Sequence, residues 1–168
     1  LDLIGNPPML SLRAMTGRNI LAKAEYLNPG GSIKDRVAKH MIEQAEARGV
    51  LRPGMTIMEP TSGNTGTGIA LVGVQKGYRV VIVMPENMSD ERKKIIRALD
   101  AELVLTPAEE SIDGAVQEME RRRRLDPSIF VPQQFENPDN PRIHHDTTAA
   151  EIWEQLEGQV DVFVSGLG

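Results

Sequence analysis

The chain has 168 residues, 40% of them hydrophobic and 26% charged, with a formal net charge of −5 and no cysteine. That length can bury a core in one or two domains, and the acidic balance argues against a nucleic-acid partner. Without cysteine there is no disulfide, thiolate nucleophile or sulfur-ligated metal; no metal site is expected, and the absence of a membrane-length apolar run or a signal pattern points to a cytoplasmic protein.

In chain order, MLSL and NILAKAEY read as short strands joined by the polar turn RAMTGRN. Ser32 followed by Asp35 has the spacing of a capping box and opens an amphipathic helix with Ile33, Val37, Met41, Ile42 and Ala45 on one face, stopped by Gly49. Strand MTIMEP follows, then the turn TSGNTG, helix TGIALVGVQKG, strand YRVVIVMP, helix SDERKKIIRALD, strand AELVLT, helix SIDGAVQEMERRRR and strand SIFVPQ. The arginines Arg121 to Arg124 suit the negative end of a helix dipole and read as a solvated helix end. Short apolar strands alternating with helical patterns predict βαβ units on a parallel sheet, an α/β fold. The loop FENPDNPRIHH, in which Pro138 and Pro141 argue against regular structure, is expected to cross between two lobes. Helix TTAAEIWEQL and a buried strand, VDVFVSG, are expected after it. Gly166, Leu167 and Gly168 then read as the first residues of a glycine-rich turn, of the kind that binds phosphate in open α/β sheets.

Three segments carry candidate chemistry. Lys34 falls near the second position of its helix, where unpaired N–H groups and the positive dipole end disfavour an ammonium ion and favour a neutral, nucleophilic amine. The alternative is a side chain that snorkels into water beside Asp35. The turn Thr61-Ser62-Gly63-Asn64-Thr65-Gly66 directs hydroxyls and amides at one spot and suits an anion. It lacks the endings of the nucleotide P-loop and the dinucleotide fingerprint, although Glu86 at the end of the next strand keeps a dinucleotide-binding oxidoreductase open, as does a well-capped turn with no ligand. Gln133 and Gln134, at the end of a buried strand, point to opposite faces, so that one reaches a polar cleft and the other ties down a loop. His144 and His145, as neighbours on a helix, do not form a metal pair.

The segments IGNPPMLSL, NPGGSIKDR, EPTSGNTG, MPENMSDERKKIIRALDAELVLT, QQFENPDNP and TTAAEIW…VDVFVSGLG closely resemble, in order and spacing, the cysteine synthase (O-acetylserine sulfhydrylase) family of fold-type II pyridoxal-phosphate enzymes. The resemblance implies the parallel βαβ sheet of the tryptophan synthase β-like architecture, truncated in its second lobe. Strands of a larger lobe would fall at 1–34, a smaller α/β lobe at 35–134, and a crossing loop, helix and first returning strand at 135–168. Lys34 matches the lysine that forms a Schiff base with pyridoxal 5'-phosphate and later serves as the base. Asn64 matches the residue bonded to the cofactor's ring oxygen; Thr61, Ser62, Thr65 and Gln134 match the groups that hold the substrate carboxylate.

The implied reaction is β-replacement of the acetate of O-acetyl-L-serine by sulfide through an aminoacrylate, giving L-cysteine in a homodimer. A cystathionine β-synthase, an O-phosphoserine sulfhydrylase and a catalytically silent partner-binding relative are the alternatives. Two departures from the family pattern, Pro7 in GNPP and Asp100 where glycine is usual, fall where they are tolerated, Asp100 at a left-handed helix end. The family's GTGGT phosphate cup and a later serine facing the pyridine nitrogen are not among these residues, so the 168-residue chain alone is expected to be inactive.

Overall fold

Two separate sheets organise the chain, whose computed structural model describes residues 1–166. The smaller is an antiparallel pair, β1 (Met9–Ser11) and β2 (Leu21–Lys23), with Met9 opposite Lys23 and the helical turn α1 (Arg13–Thr16) between them. The larger is wholly parallel, made of β3 (Thr56–Pro60), β4 (Arg79–Pro85), β5 (Glu102–Thr106) and the short β6 (Ile129–Phe130) in the order β5-β4-β3-β6. The crossovers are α3 (Asn64–Gln75), α4 (Asp90–Ala98) and α5 (Ser111–Leu125), while α2 (Lys34–Ala47) precedes β3 and lies on α3.

Strand alternation sorts the apolar side chains onto two faces. Ile57, Val80, Ile82 and Met84 join Ala38, Ile42, Ile69, Val72 and Ile96 from the α2, α3 and α4 side. Met58, Val81 and Val83 join Ala115 and Met119 of α5 on the other. With both faces covered, the strands read as continuous apolar runs, as parallel sheets do. Full burial of each such side chain contributes about 1.5–3 kcal/mol. Asp100 adopts the expected left-handed conformation, with φ of 62°.

Three expectations are corrected. Asp35 does not complete a capping box: Ser32 Oγ accepts from the Lys34 amide at 3.1 Å, but Asp35 Oδ2 accepts from the Gly30 amide at 2.5 Å rather than from Ser32. The double glycine lets the chain fold back far enough for the carboxylate to reach past the cap. The proline-rich segment is helical, with α6 (Asp139–Ile143) continuing through a wide π turn (His144–Thr148) into α7 (Ala149–Gln155). Pro141 falls in the first turn of α6, where its missing N–H would have had no partner.

The returning strand expected within 135–168 does not form among the described residues. Val162, Phe163 and Val164 are exposed and no strand pairs with them. Apolar alternation needs a neighbouring ladder before it becomes a strand. The last part of the glycine-rich turn, Leu167 and Gly168, lies outside the described residues.

A four-membered ionic cluster joins the hairpin to α2 and α7. Arg36 on α2 is fully engaged, by Glu25 just after β2 and by Glu151 on α7, and Glu151 also takes Lys23 of β2 at 2.9 Å. Burial pushes the Glu151 carboxyl up, but its bonds to Arg36 and Lys23 outweigh this and bring it down to about 2.

Candidate active site

The strand order fixes where a ligand would sit. From β3 the chain moves outward to β4 and β5, then returns to place β6 on the other side of β3. Open parallel sheets bind ligands outside the carboxyl ends of strands at such a reversal. The segments beyond β3 and β6 are Thr61 to Thr65 and Gln133 to Gln134.

In the first segment, the Thr61 amide extends the ladder to the Val83 carbonyl at 3.0 Å, and its buried hydroxyl accepts from the Gly63 amide at 3.3 Å. This turns the chain sharply so that α3 begins at Asn64. Its N-cap is Gly63, extended in conformation, and no side chain caps the helix. The Gly66 amide donates to the Gly63 carbonyl at 3.0 Å, and the Asn64 and Thr65 amides are left without a cap beside the exposed Gly63 and Asn64 and the half-buried Ser62, an arrangement that suits an anion.

The second segment is drawn onto the first. Gln133 is exposed with φ of 57°, whereas Gln134 turns inward and is buried. Thr65 Oγ1 donates to Gln134 Oε1 at 2.5 Å. That bond occupies the Gln134 oxygen and leaves its Nε2 protons as donors. The Gln134 carbonyl accepts from Asn140 Nδ2 of α6 at 2.8 Å.

Glu59 completes the cluster and was not among the residues that sequence reasoning picked out. It lies one residue from the end of β3, only 2% exposed, and its two oxygens accept the amides of Gln133 and Gln134 at 3.1 Å each. Burial raises its carboxyl to about 7, with the two amides pulling in the opposite direction. The one sequence signal was an acid inside an otherwise apolar strand, TIMEP.

Lys34 is the first residue of α2. A Cβ on Gly68 would sit 3.0 Å from the Lys34 carbonyl oxygen and 3.1 Å from Ala38 Cβ, so α3 meets the start of α2 without a side chain between them. The Lys34 ammonium forms no hydrogen bond or ion pair among the described residues, and no hydrogen bond joins it to the Thr61–Thr65 turn. His144, discounted as a metal ligand, lies in the electrostatic field of Lys34: burial, then Lys34 and Arg36, hold its imidazole below the usual histidine range. The structure thus bonds Thr65 to Gln134, keeps Thr61, Ser62 and Asn64 in the adjoining turn, and sets Lys34 against the second turn of the same helix.

These residues suit pyridoxal phosphate by their donor chemistry. An unpaired primary amine is available to an aldehyde, and an exposed Asn64 amide at an uncapped helix start is available to a ring oxygen.

Comparison with known proteins accords with this arrangement. The sequence pattern of the family described as pyridoxal-phosphate dependent enzyme matches residues 1–168. The chain is 48% identical over 171 residues to the cysteine synthases of Staphylococcus aureus strains Mu50 and N315, covering 99% of this chain and 55% of each relative. It therefore spans about half the length of the curated relatives it matches. Among solved structures it is similar to a hydrogen sulfide-producing enzyme from Fusobacterium nucleatum, with a TM-score of 0.90 and 41% identity over 95% of this chain and 54% of that one. It is also similar to a cysteine synthase from Entamoeba histolytica, with a TM-score of 0.90 and 44% identity over 95% of this chain and 49% of that one.

Proposed function

Because the chain belongs to the family of pyridoxal-phosphate dependent enzymes, we propose that the protein makes L-cysteine from O-acetyl-L-serine and sulfide. The observation that carries this reading is the Thr65–Gln134 bond beside the uncapped start of α3, a ready site for an amino-acid carboxylate on the helix whose second turn packs against the main chain of Lys34.

In this reading Lys34 Nζ would hold the cofactor through its aldehyde carbon and Asn64 would donate to its ring oxygen. The cofactor, when bound, supplies an electron sink for charge developing at the carbon α to the amino group. Gln134 Nε2, Ser62 and the first-turn amides of α3 hold the substrate carboxylate, with Thr61 shaping the turn and Thr65 orienting Gln134. Lys34 Nζ, once free of the cofactor, takes the α-proton, acting as both tether and base. Acetate leaves the β-carbon, the sulfur of hydrosulfide bonds there, and Lys34 Nζ returns its proton to the α-carbon to complete L-cysteine. Closure of the Thr61–Thr65 turn over the carboxylate excludes water from the reacting carbons.

The proposed division puts 1–34 and 135–168 in a larger lobe, without the returning strand in its described part, and 35–134 in a smaller α/β lobe; the protein works in the cytoplasm as a homodimer, without a nucleic-acid partner. No helix among the described residues is long and apolar enough to cross a membrane. The similarity to a hydrogen sulfide-producing enzyme supports a second reading, production of sulfide.

The test is to load the full-length protein with pyridoxal phosphate, reduce it with borohydride and map the label by mass spectrometry, then assay O-acetylserine plus sulfide. Serine with homocysteine, O-phosphoserine with sulfide, and L-cysteine alone are run in parallel. Label on Lys34, its loss in Lys34→Ala, and cysteine formed fastest from O-acetylserine and sulfide are expected. A label on another lysine overturns the site, and a preference for homocysteine or O-phosphoserine overturns the substrate.

A further inference from the structure

A buried carboxylate without an ion pair is an expensive residue in the middle of a parallel sheet. Glu59 follows Ile57 and Met58, both buried in the core, and an apolar side chain would pack in its place. Its partners are two consecutive main-chain amides, Gln133 and Gln134, about seventy residues further along. Because Gln133 is exposed, water at the surface offers its amide another acceptor. A need merely to satisfy N–H groups does not account for a buried charge.

What the carboxylate does supply is a rigid, two-point tether. The Gln133 backbone is left-handed, a conformation that disfavours a residue with a Cβ, and it is this twist that sends Gln133 outward and Gln134 inward. The first anchor of Gln134 is its amide on Glu59, the second its carbonyl on Asn140 and the third its side-chain oxygen on Thr65. Glu59 also belongs to the strand that runs directly into the Thr61–Thr65 turn. One carboxylate thus ties the two halves of the anion site to a common strand.

We propose that Glu59 is a positioning residue: by accepting the amides of Gln133 and Gln134 it sets the Thr65–Gln134 hydrogen bond and, through it, the geometry in which the substrate carboxylate is held. The carboxylate part rests on the function proposed above. The protonation chemistry agrees with the geometry. A carboxylate accepts both amides, whereas a protonated acid turns one oxygen into a donor and releases one of them. Burial shifts Glu59 up to about 7 against the opposing pull of the two amides, and no charged side chain on the elements packed around it contributes. The tether therefore loosens as the pH falls through neutrality.

The experiment compares Glu59→Gln, Thr65→Val and the double variant in the full-length, cofactor-loaded protein. O-Acetylserine affinity is followed by the cofactor's absorbance between pH 6 and 8.5. Glu59→Gln is expected to bind O-acetylserine about tenfold more weakly at pH 8 with its cofactor content unchanged, the size of one lost hydrogen bond. Wild-type affinity is expected to fall more steeply between pH 7.5 and 6 than that of Glu59→Gln, the substrate's own α-amino group titrating alike in both. The double variant is no weaker than Thr65→Val alone, because both changes act through one pair. Unchanged affinity in Glu59→Gln, or losses that multiply in the double variant, overturns the proposal.

A second readout needs no turnover and no variant. The amide resonances of Gln133 and Gln134 in ¹⁵N-labelled wild-type protein are expected to titrate with a midpoint near pH 7, and signals flat from pH 5.5 to 8.5 overturn the tether even if Glu59→Gln fails to fold. Titrating amides in a wild-type protein that takes up no O-acetylserine would support the tether and overturn the substrate reading instead.

Discussion

Arg36 and Glu151 face each other through two parallel hydrogen bonds, each 2.6 Å long, although 115 residues separate them. The Arg36 side chain is 3% exposed and depends on Glu25 and Glu151 for its compensation. Glu151→Gln places an amide N–H₂ against Arg36 and Lys23, leaving buried positive charge unmatched. We expect a loss of about 3 kcal/mol, since removing one partner of a buried pair strands the other. Because the folded carboxyl lies below its ordinary value of 4.5, this contribution is present above that value and is lost as the pH falls through about 2. Denaturant unfolding at pH 7 checks the first point, and an unchanged midpoint would count against the network.

Glu59 has the opposite sign. Its folded value, about 7, lies above the ordinary 4.5, so its contribution to stability is present below pH 4.5 and is lost as the pH rises through 7. At 1.36 kcal/mol per pH unit the loss is on the order of 3 kcal/mol. Glu59→Gln should flatten the fall in stability between pH 5 and 7.5, which thermal melts across that range would reveal. Melts that stay parallel to those of the wild type would show that Glu59 does not titrate there.

Gln134→Ala removes the Nε2 donors assigned to the proposed carboxylate site, and Thr65→Ala removes the hydroxyl bonded to the Gln134 oxygen. A charge-assisted hydrogen bond contributes about 1.5–3 kcal/mol, so O-acetylserine affinity should drop roughly ten- to a hundredfold while pyridoxal phosphate stays bound. Equilibrium titration of both variants measures this; loss of cofactor instead of substrate would assign the pair to the wrong ligand.

Gly68→Val tests the placement of Lys34. A Cβ there already meets the Lys34 carbonyl oxygen at 3.0 Å, and two further methyl groups must push α3 away from α2. Overpacking of this kind costs about 1–3 kcal/mol, and the start of α2 should move with it. The fraction of protein that borohydride labels at Lys34 is expected to fall more than in Gly68→Ala. Equal labelling in the two variants would mean that this contact does not position the lysine.

The βαβ rhythm was legible because the central parallel strands β3 and β4 are buried on both sides and so read as short apolar runs between helical patterns, Val80 to Met84 most clearly. Asp100 was legible because the chain must turn left-handed where a helix ends. Patterns that needed a distant partner misled. VDVFVSG has the composition of a strand, but its residues up to Gly166 find no ladder to join. Asp35 has the spacing of a capping box, yet reaches Gly30 because of a loop conformation that spacing does not encode. Pro141 reads as a breaker until its place in the first turn of a helix is known. Glu59 was missed because Gln133 and Gln134 come beside it only when β6 docks on β3. His144 does not read as a metal ligand, and nothing in the sequence signals its electrostatic neighbours, Lys34 and Arg36, which lie a hundred residues earlier.

The position of β6 beside β3 also orders events as the chain is made. Lys34 and the Thr61–Thr65 turn leave the ribosome well before Gln134, and β4 and β5 can be laid down on β3 in the meantime. Until β6 arrives, Glu59 sits on an edge strand with no amides to accept, a hydrated carboxylate at its ordinary acidity. Docking of β6 covers that edge, dries Glu59 and brings Gln134 to Thr65 in one step, so a nascent chain that stops short of Gln134 carries Lys34 without the rest of the proposed anion site.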